Sequence, residues 1–187
     1  MSSNFIFRTI RWSAWESAEA GMEHVDVSPA DGGIDFAGVV IGRKDETKFA
    51  LAYRLRVDSE WRLREARLKT TSGHRLHLES NGKGTWHVNG AERADLQGCI
   101  DIDIEASPLT NTLPIRRLGL QAGDSSEVRL CYVTVPELSV SLAHQRYTAL
   151  GERAYRFQSL TSGFTADLPV DEDGFVLDYP GLFKRLP

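Results

Sequence analysis

The sequence predicts an all-β fold in which a single curved antiparallel sheet forms a spiral β-roll or half-barrel, with one or two short helices. Three observations support this prediction. Apolar and polar residues alternate along many segments, and turn-forming glycines separate these segments at intervals of roughly 8–12 residues. No window of about 12 residues keeps the apolar period of an amphipathic helix.

The clearest strand covers residues 47–57, where the large apolar side chains share one face and the cations share the other. Long antiparallel strands coil, so the sheet is expected to curl around its concave face, with Gly38 and Gly42 at bends. Short helices are predicted at residues 14–20 and 179–184. Further alternating segments read HRLHLES, GTWHV, CIDIDIE, EVRLCYVTV, HQRYTAL, RAYRFQSL and FTADLPV.

Length and composition narrow the classes of protein. A chain of 187 residues is expected to form one domain, residues 1–187. Its net charge of −4 gives no general attraction for nucleic acid, so no nucleic-acid partner is predicted. No secretory signal or membrane span is recognised, which favours a cytoplasmic location, and Cys99 and Cys131 are expected to stay reduced.

An acidic strand supplies the first candidate site. Asp101, Asp103 and Glu105 alternate with isoleucines and therefore share one face. Such carboxylates could serve acid/base catalysis, bind a hard cation, form part of a polar ligand pocket, or be solvated or ion-paired with Arg116 and Arg117. Because adjacent residues of an extended segment point in opposite directions, only one of the two arginines is expected to pair with Asp101 or Asp103, partly out of solvent.

Aromatic and basic residues supply further candidates. In WRLREARLK the apolar residues change sides midway, which predicts a β-bulge. Trp61 and Trp86 could stack on a sugar ring or contact a lipid chain, and Arg62 could bind an oxyanion. The alternative is that the aromatic side chains fill the core.

Signatures of enzymes and cofactor sites are missing from the sequence. It contains no G-x-S-x-G, C-x-x-C, H-E-x-x-H or phosphate-binding glycine loop, and its five histidines lack metal-ligand spacing. No catalytic residue, cofactor or metal ion is therefore predicted.

Several strings of residues resemble the bacterial family of unknown function described as "Putative glycolipid-binding". The longest is Thr110–Leu118, TNTLPIRRL, which includes Asn111; others are DSEWR at residues 58–62, GCIDID at 98–103 and DYP at 178–180. The resemblance extends over nearly the whole chain. It implies a spiral β-roll similar to the half-barrels of bacterial lipoprotein carriers and localisation factors, and it implies no catalytic residues.

These observations favour a non-enzymatic protein that binds a glycolipid or similar amphipathic ligand on the concave face of the sheet. The candidate ligand-binding residues are Trp61, Arg62, Trp86, Asp101, Asp103, Asn111, Arg116 and Arg117. The alternatives are a hydrolase of a sugar or acyl ester that uses Asp101 or Asp103 as acid/base, and a scaffold whose charged cluster is only structural. The oligomeric state is not predicted.

Overall fold

The structure, a computed structural model, describes residues 7–187. Most of these residues form strands, and the larger sheet curls into a half-barrel, which confirms the all-β prediction. The strands are β1 Arg8–Ala14, β2 Gly21–Ala30, β3 Gly33–Lys44, β4 Thr47–Asp58, β5 Leu63–Thr70, β6 Arg75–Ser80, β7 Trp86–Val88, β8 Ala91–Glu92, β9 Asp101–Ile104, β10 Ser125–Val133, β11 Val140–Gly151, β12 Ala154–Ser159, β13 Thr165–Pro169, β14 Asp178–Tyr179 and β15 Phe183–Arg185.

The larger sheet is a meander of neighbouring antiparallel strands. Its order is β14-β15-β1-β2-β3-β4-β5-β6-β7-β8, so the C-terminal hairpin joins the edge formed by the first strand. Strands β3 and β4 have 12 residues each and pair along their whole length. Strands of this length carry the accumulated twist that curls the sheet.

A second sheet has the order β13-β12-β11-β10-β9, and in it β9 runs parallel to β10. The strands are thus divided between two sheets rather than one, and one pair is parallel rather than antiparallel. Parallel neighbours need a crossover connection. Residues 105–124 provide it, and they contain a 3-10 turn at Pro108–Asn111 followed by helix α1 at Thr112–Leu118.

The positions predicted for helices were wrong. Ala14 pairs with Phe183, and Tyr179 also pairs with Phe183, so both segments give backbone groups to the sheet. Helix α1 instead forms at Thr112–Leu118, where the sequence predicted an extended segment around Arg116 and Arg117. Pro114 fits because it lies in the first helical turn, where backbone N–H groups have no partner within the helix.

Two apolar clusters form the interior of the described residues. The first fills the concave side of the larger sheet and includes the wholly buried Trp12 and Trp86. The second lies between α1 and the smaller sheet and includes Tyr147 and Phe157. Cys99, just before β9, and Cys131 are buried and unbonded to each other, as expected.

The predicted bulge is confirmed in β5. Arg56 pairs with Glu65, but Val57 pairs with Leu63, so one extra residue is accommodated between them. The shift lets Leu63 and Ala66 both face the core. It explains why the apolar residues of WRLREARLK change sides.

Candidate ligand-binding cleft

A cleft lies where the open end of the β2–β3 hairpin, at Gly21 and Gly42, meets the smaller sheet. It consists of two neighbouring cavities of about 480 and 220 Å³, which share Glu105, Leu182 and Phe183 as lining residues. The walls are mainly apolar, and Leu182 and Phe164 at the rim are 41% and 39% exposed. Three carboxyl groups, those of Glu23, Asp103 and Glu105, also line the cavities. The cleft is therefore amphipathic.

Glu23 is the most unusual group in the cleft. It is only 1% exposed, and its Oε1 accepts hydrogen bonds from the Tyr53 hydroxyl and the Ser107 hydroxyl, both at 2.6 Å. Within the described part of the chain, Oε2 is buried without a hydrogen-bond partner. Burial raises the pKa of Glu23 to about 7, although both hydrogen bonds oppose the rise. At neutral pH this carboxyl group can therefore donate as well as accept a hydrogen bond.

The strand register explains how Glu23 comes to be buried. Glu23 alternates with Val25 and Val27 and so faces the core of the sheet. The ring of Tyr53 reaches Glu23 by crossing Gly38, where an added Cβ would lie 2.1 Å from Tyr53 Cζ. Gly38 thus permits a close approach of side chain to backbone rather than a bend. Sequence reasoning missed Glu23, although an acid on the apolar face of an alternating strand was a usable signal.

Asp103 is the second carboxyl group that is held only by neutral donors. Its Oδ1 accepts from the Thr110 hydroxyl at 3.1 Å and its Oδ2 from Gln145 Nε2 at 2.6 Å. The Tyr147 hydroxyl can donate to Gln145 Oε1 or to Asn111 Oδ1, at 3.2 and 3.0 Å. Burial raises the pKa of Asp103 above its ordinary value, and Gln145 and Thr110 oppose the rise.

The turn after β9 connects these two carboxyl groups. Ser107 caps the 3-10 turn by accepting from Leu109 N at 3.2 Å, and its hydroxyl donates to Glu23. Thr110, three residues later, contacts Asp103. The segment SPLTN therefore places donors against an acid of each sheet, which fixes the polar side of the cleft.

Glu105 lies at the boundary between the two cavities. Lys44 Nζ contacts its two carboxylate oxygens at 2.9 and 2.8 Å, and Val135 N donates to Oε2 at 3.0 Å. Lys44 also lines the smaller cavity, and its side chain is 40% exposed. This ion pair joins β3 to the segment that follows β9.

Asp101 has a different environment from Asp103, although both are on β9. Arg117 Nε and Nη2 lie 3.0 and 2.5 Å from its two oxygens, and Asp101 is fully buried. Burial raises the pKa of Asp101, and the Arg117 guanidinium opposes the rise. The expectation that one arginine pairs with Asp101 or Asp103 is confirmed. The reason differs, since both arginines are on α1, and Arg116 instead lies 5.0 Å from the centre of the Trp61 ring.

Comparisons with known proteins agree with this architecture. Residues 9–185 match the model of the family described as "Putative glycolipid-binding". The chain belongs to this family. It is also similar to a DUF1089 family protein from Pseudomonas aeruginosa, whose crystal structure superposes with a TM-score of 0.81 at 39% sequence identity, over 92% of this chain and 95% of that one. No curated protein matches the chain.

In the present structure, the eight predicted site residues do not form one site. Asp103 and Asn111 line the cleft, whereas Arg62 and Arg117 line a shallow depression elsewhere on the surface. Trp86 is completely buried and donates from Nε1 to Cys99 O at 2.7 Å. Trp61 is 8% exposed beneath Arg116. A ligand-binding role for the residues outside the cleft stays a prediction.

The interpretation of the acidic strand as a solvated outer face is wrong, because Asp101 is fully buried and Asp103 is partly buried. Beyond Glu23, sequence reasoning also missed Ser107, Gln145 and Tyr147. Gln145 and Tyr147 are on the inward face of β11, and nothing in their spacing indicated that they would meet Asp103. Within residues 7–187, none of the helices has the length and apolarity that a membrane crossing requires.

Proposed function

We propose that the protein binds a glycolipid or a similar amphipathic molecule in the cleft, without chemical conversion. The observation that carries the proposal is the amphipathic lining: apolar walls meet the buried carboxyl group of Glu23 and the partly buried one of Asp103, neither of which has a cationic partner within the described residues. The larger cavity, of about 480 Å³, has the volume of typical small-molecule sites. Family membership supports a binding role.

Each part of such a ligand has a matching surface. An acyl chain would lie along the apolar walls that Val40, Phe49 and Phe183 contribute to the smaller cavity. Sugar hydroxyl groups would donate hydrogen bonds to Asp103 and Glu105. Another polar group of the ligand would form a hydrogen bond with Glu23 Oε2, which has no partner within the described residues. This places the polar head at the turn after β9 rather than at the Asp101–Arg117 pair.

A hydrolase is the second candidate, and the environment of Glu23 favours it. A carboxyl group with a pKa near 7 suits a general acid, and Asp103 could act as the accompanying carboxylate. Asp101, one of the two acids considered from the sequence for this role, is buried against Arg117 and has no access to solvent. A purely structural cluster is the third reading, and for Asp101 the geometry supports it.

The proposal is tested by displacement of a hydrophobic fluorophore. We expect a glycolipid to displace the dye more effectively than a fatty acid of the same chain length, because only the glycolipid fills the polar side of the cleft. Ala143→Trp should block the larger cavity and abolish dye binding, whereas His144→Trp, on the exposed face of the same strand, should leave it intact. Circular dichroism of both variants checks that they fold.

Three results count against binding without conversion. One is dye binding that Ala143→Trp leaves unchanged, and another is a failure of every amphiphile to displace the dye. The third is mass-spectrometric detection of a cleaved glycolipid, dependent on Glu23, which would favour the hydrolase.

A cytoplasmic location and a single domain over residues 1–187 remain predictions.

A further inference from the structure

The outer face of the larger sheet carries a group of cations on its central strands. Arg54 of β4 is directly opposite Arg67 of β5, and Lys69 of β5 is directly opposite Arg75 of β6. Like charges at opposed positions of neighbouring strands destabilise a sheet. Two such pairs in adjacent rows are therefore unfavourable for folding and call for another explanation.

The acids on this face neutralise one of these four cations, Arg67, and form no ion pair with the other three in the described part of the chain. Glu65 is engaged by Arg67 at 2.7 Å and by His77 at 2.8 Å, and Asp35 is engaged by Arg56 at 2.7 Å. Asp26 accepts from Thr9 at 2.9 Å, and Glu79 makes no ion pair among residues 7–187. Within residues 7–187, Arg54, Lys69 and Arg75 make no ion pair. All three are exposed, so the part of the face that they occupy is locally basic although the whole chain has a net charge of −4.

Exposed apolar side chains adjoin the cations on the same face. Met22, Val39 and Ile41 are 40%, 47% and 62% exposed. The pairing register makes them contiguous, since Met22 is opposite Ile41, and Val39 is opposite Ala52, which is itself opposite Lys69. Apolar side chains bordered by unpaired lysine and arginine are typical of surfaces that enter the headgroup region of a membrane.

We propose that this outer face, formed by strands β2 to β6, docks the protein onto a bilayer surface that contains anionic lipids. Lys69, Arg75 and Arg54 would contact the headgroups, and Val39, Ile41 and Met22 would enter the interface. A nucleic acid fits the face less well, because single strands bind through exposed aromatic side chains. The cations line a shallow groove in this face, and Tyr53, the aromatic residue that lines the same groove, is only 2% exposed.

The docking face also adjoins the ligand cleft. Met22 and Ile41 line the smaller cavity as well as the outer patch, so that cavity opens at the edge of the docked face. A lipid could thus pass between the bilayer and the cleft without crossing bulk water. Docking itself depends only on the outer face and goes beyond the proposed function.

Vesicle flotation tests docking separately from ligand binding. The intact protein should float with vesicles of phosphatidylcholine mixed with phosphatidylglycerol, but not with phosphatidylcholine alone, and high salt should weaken the interaction. The double variant Lys69→Gln/Arg75→Gln should lower the partition coefficient roughly 10-fold or more. The control Arg129→Gln/Arg153→Gln removes the same charge from exposed positions elsewhere and should have little effect.

The contribution of the apolar side chains to docking is tested by a second pair of variants. Val39→Ser should weaken vesicle binding, whereas Leu150→Ser, which alters a 44% exposed leucine of the smaller sheet, should not. None of these positions lines the cleft cavities, so dye binding should persist in all the variants. Docking is refuted by an absence of flotation with anionic vesicles, by equal losses in the test and control variants, or by binding of a single-stranded oligonucleotide in place of vesicles.

Discussion

The two ends of strand β9 bury acids in opposite ways. Asp101 is matched by a bidentate arginine, so its charge is balanced where it is buried. Asp103, two residues later, meets only the neutral donors Thr110 and Gln145, and it joins Glu23 of the other sheet at the cleft. An acid balanced by a cation is best explained by the needs of folding. An acid left without one retains the capacity to bind something else.

Among the substitutions that test this comparison, removal of Asp101 should reduce stability the most. Asp101→Ala leaves the Arg117 charge without its partner and should lower the free energy of unfolding by about 3–5 kcal/mol. Urea denaturation measures the loss. Asp95→Ala, which removes an exposed partner of Arg93, is the control and should change stability little. Equal effects of the two substitutions would show that the buried pair has no special importance.

Glu23 should make stability depend on pH with a sign opposite to that of a salt-bridged acid. Its pKa is about 7 in the folded protein and 4.5 in the reference state, so the folded state holds the proton more tightly. This contribution is complete below about pH 4.5 and is lost as the pH rises through 7, by roughly 3 kcal/mol at most. Glu23→Gln should remove this slope from denaturation curves recorded between these pH values. A variant with the same slope as the wild type would contradict the account.

Asp103 should separate binding from stability. Asp103→Asn keeps an acceptor for one of the two donors and leaves no buried cation without a partner. It should therefore lower the free energy of unfolding by only about 1–2 kcal/mol. The same substitution should markedly weaken retention of an amphipathic ligand, measured by dye displacement. If stability instead falls as far as in Asp101→Ala while binding is unchanged, the two ends of β9 do not differ as proposed.

Arg116 provides the smallest effect and a comparison with its neighbour. Arg116→Ala removes a cation that lies over the Trp61 ring and should cost about 0.5–1 kcal/mol. Arg117→Ala should cost several times more because it leaves Asp101 buried without its partner. Thermal denaturation of both variants checks the order, and a reversed order would contradict the assigned contacts.

The sequence predicted the parts of this molecule that depend on local pattern. Alternation along residues 47–57 indicated the inward face of β4, and the displaced pattern at Trp61–Lys69 indicated the bulge. It was misleading at β9, where alternating acids and isoleucines resembled a half-exposed strand. Because β9 runs parallel to β10 beside a crossover helix, it is largely buried on both faces.

The cleft could not be predicted because its contacts are distant in sequence. Glu23 and Ser107 are separated by 84 residues, and Asp103 and Gln145 by 42. Helix α1 was missed for a related reason. Its seven residues are too few to show a helical period, and it is stabilised by burial of Leu113 and Ile115 and by the capped turn before it.

The central claim is that Glu23 and Asp103, the carboxyl groups without a cationic partner, mark a binding site. Native mass spectrometry tests this claim most directly. The protein would be incubated with a bacterial lipid extract, freed of excess lipid without detergent, and weighed intact. We predict a discrete added mass on the wild type and on Asp95→Asn, extractable as an amphipathic lipid, and its loss from Asp103→Asn and Ala143→Trp. A wild-type protein that never carries added mass, or a ligand that all four proteins retain equally, would contradict the account.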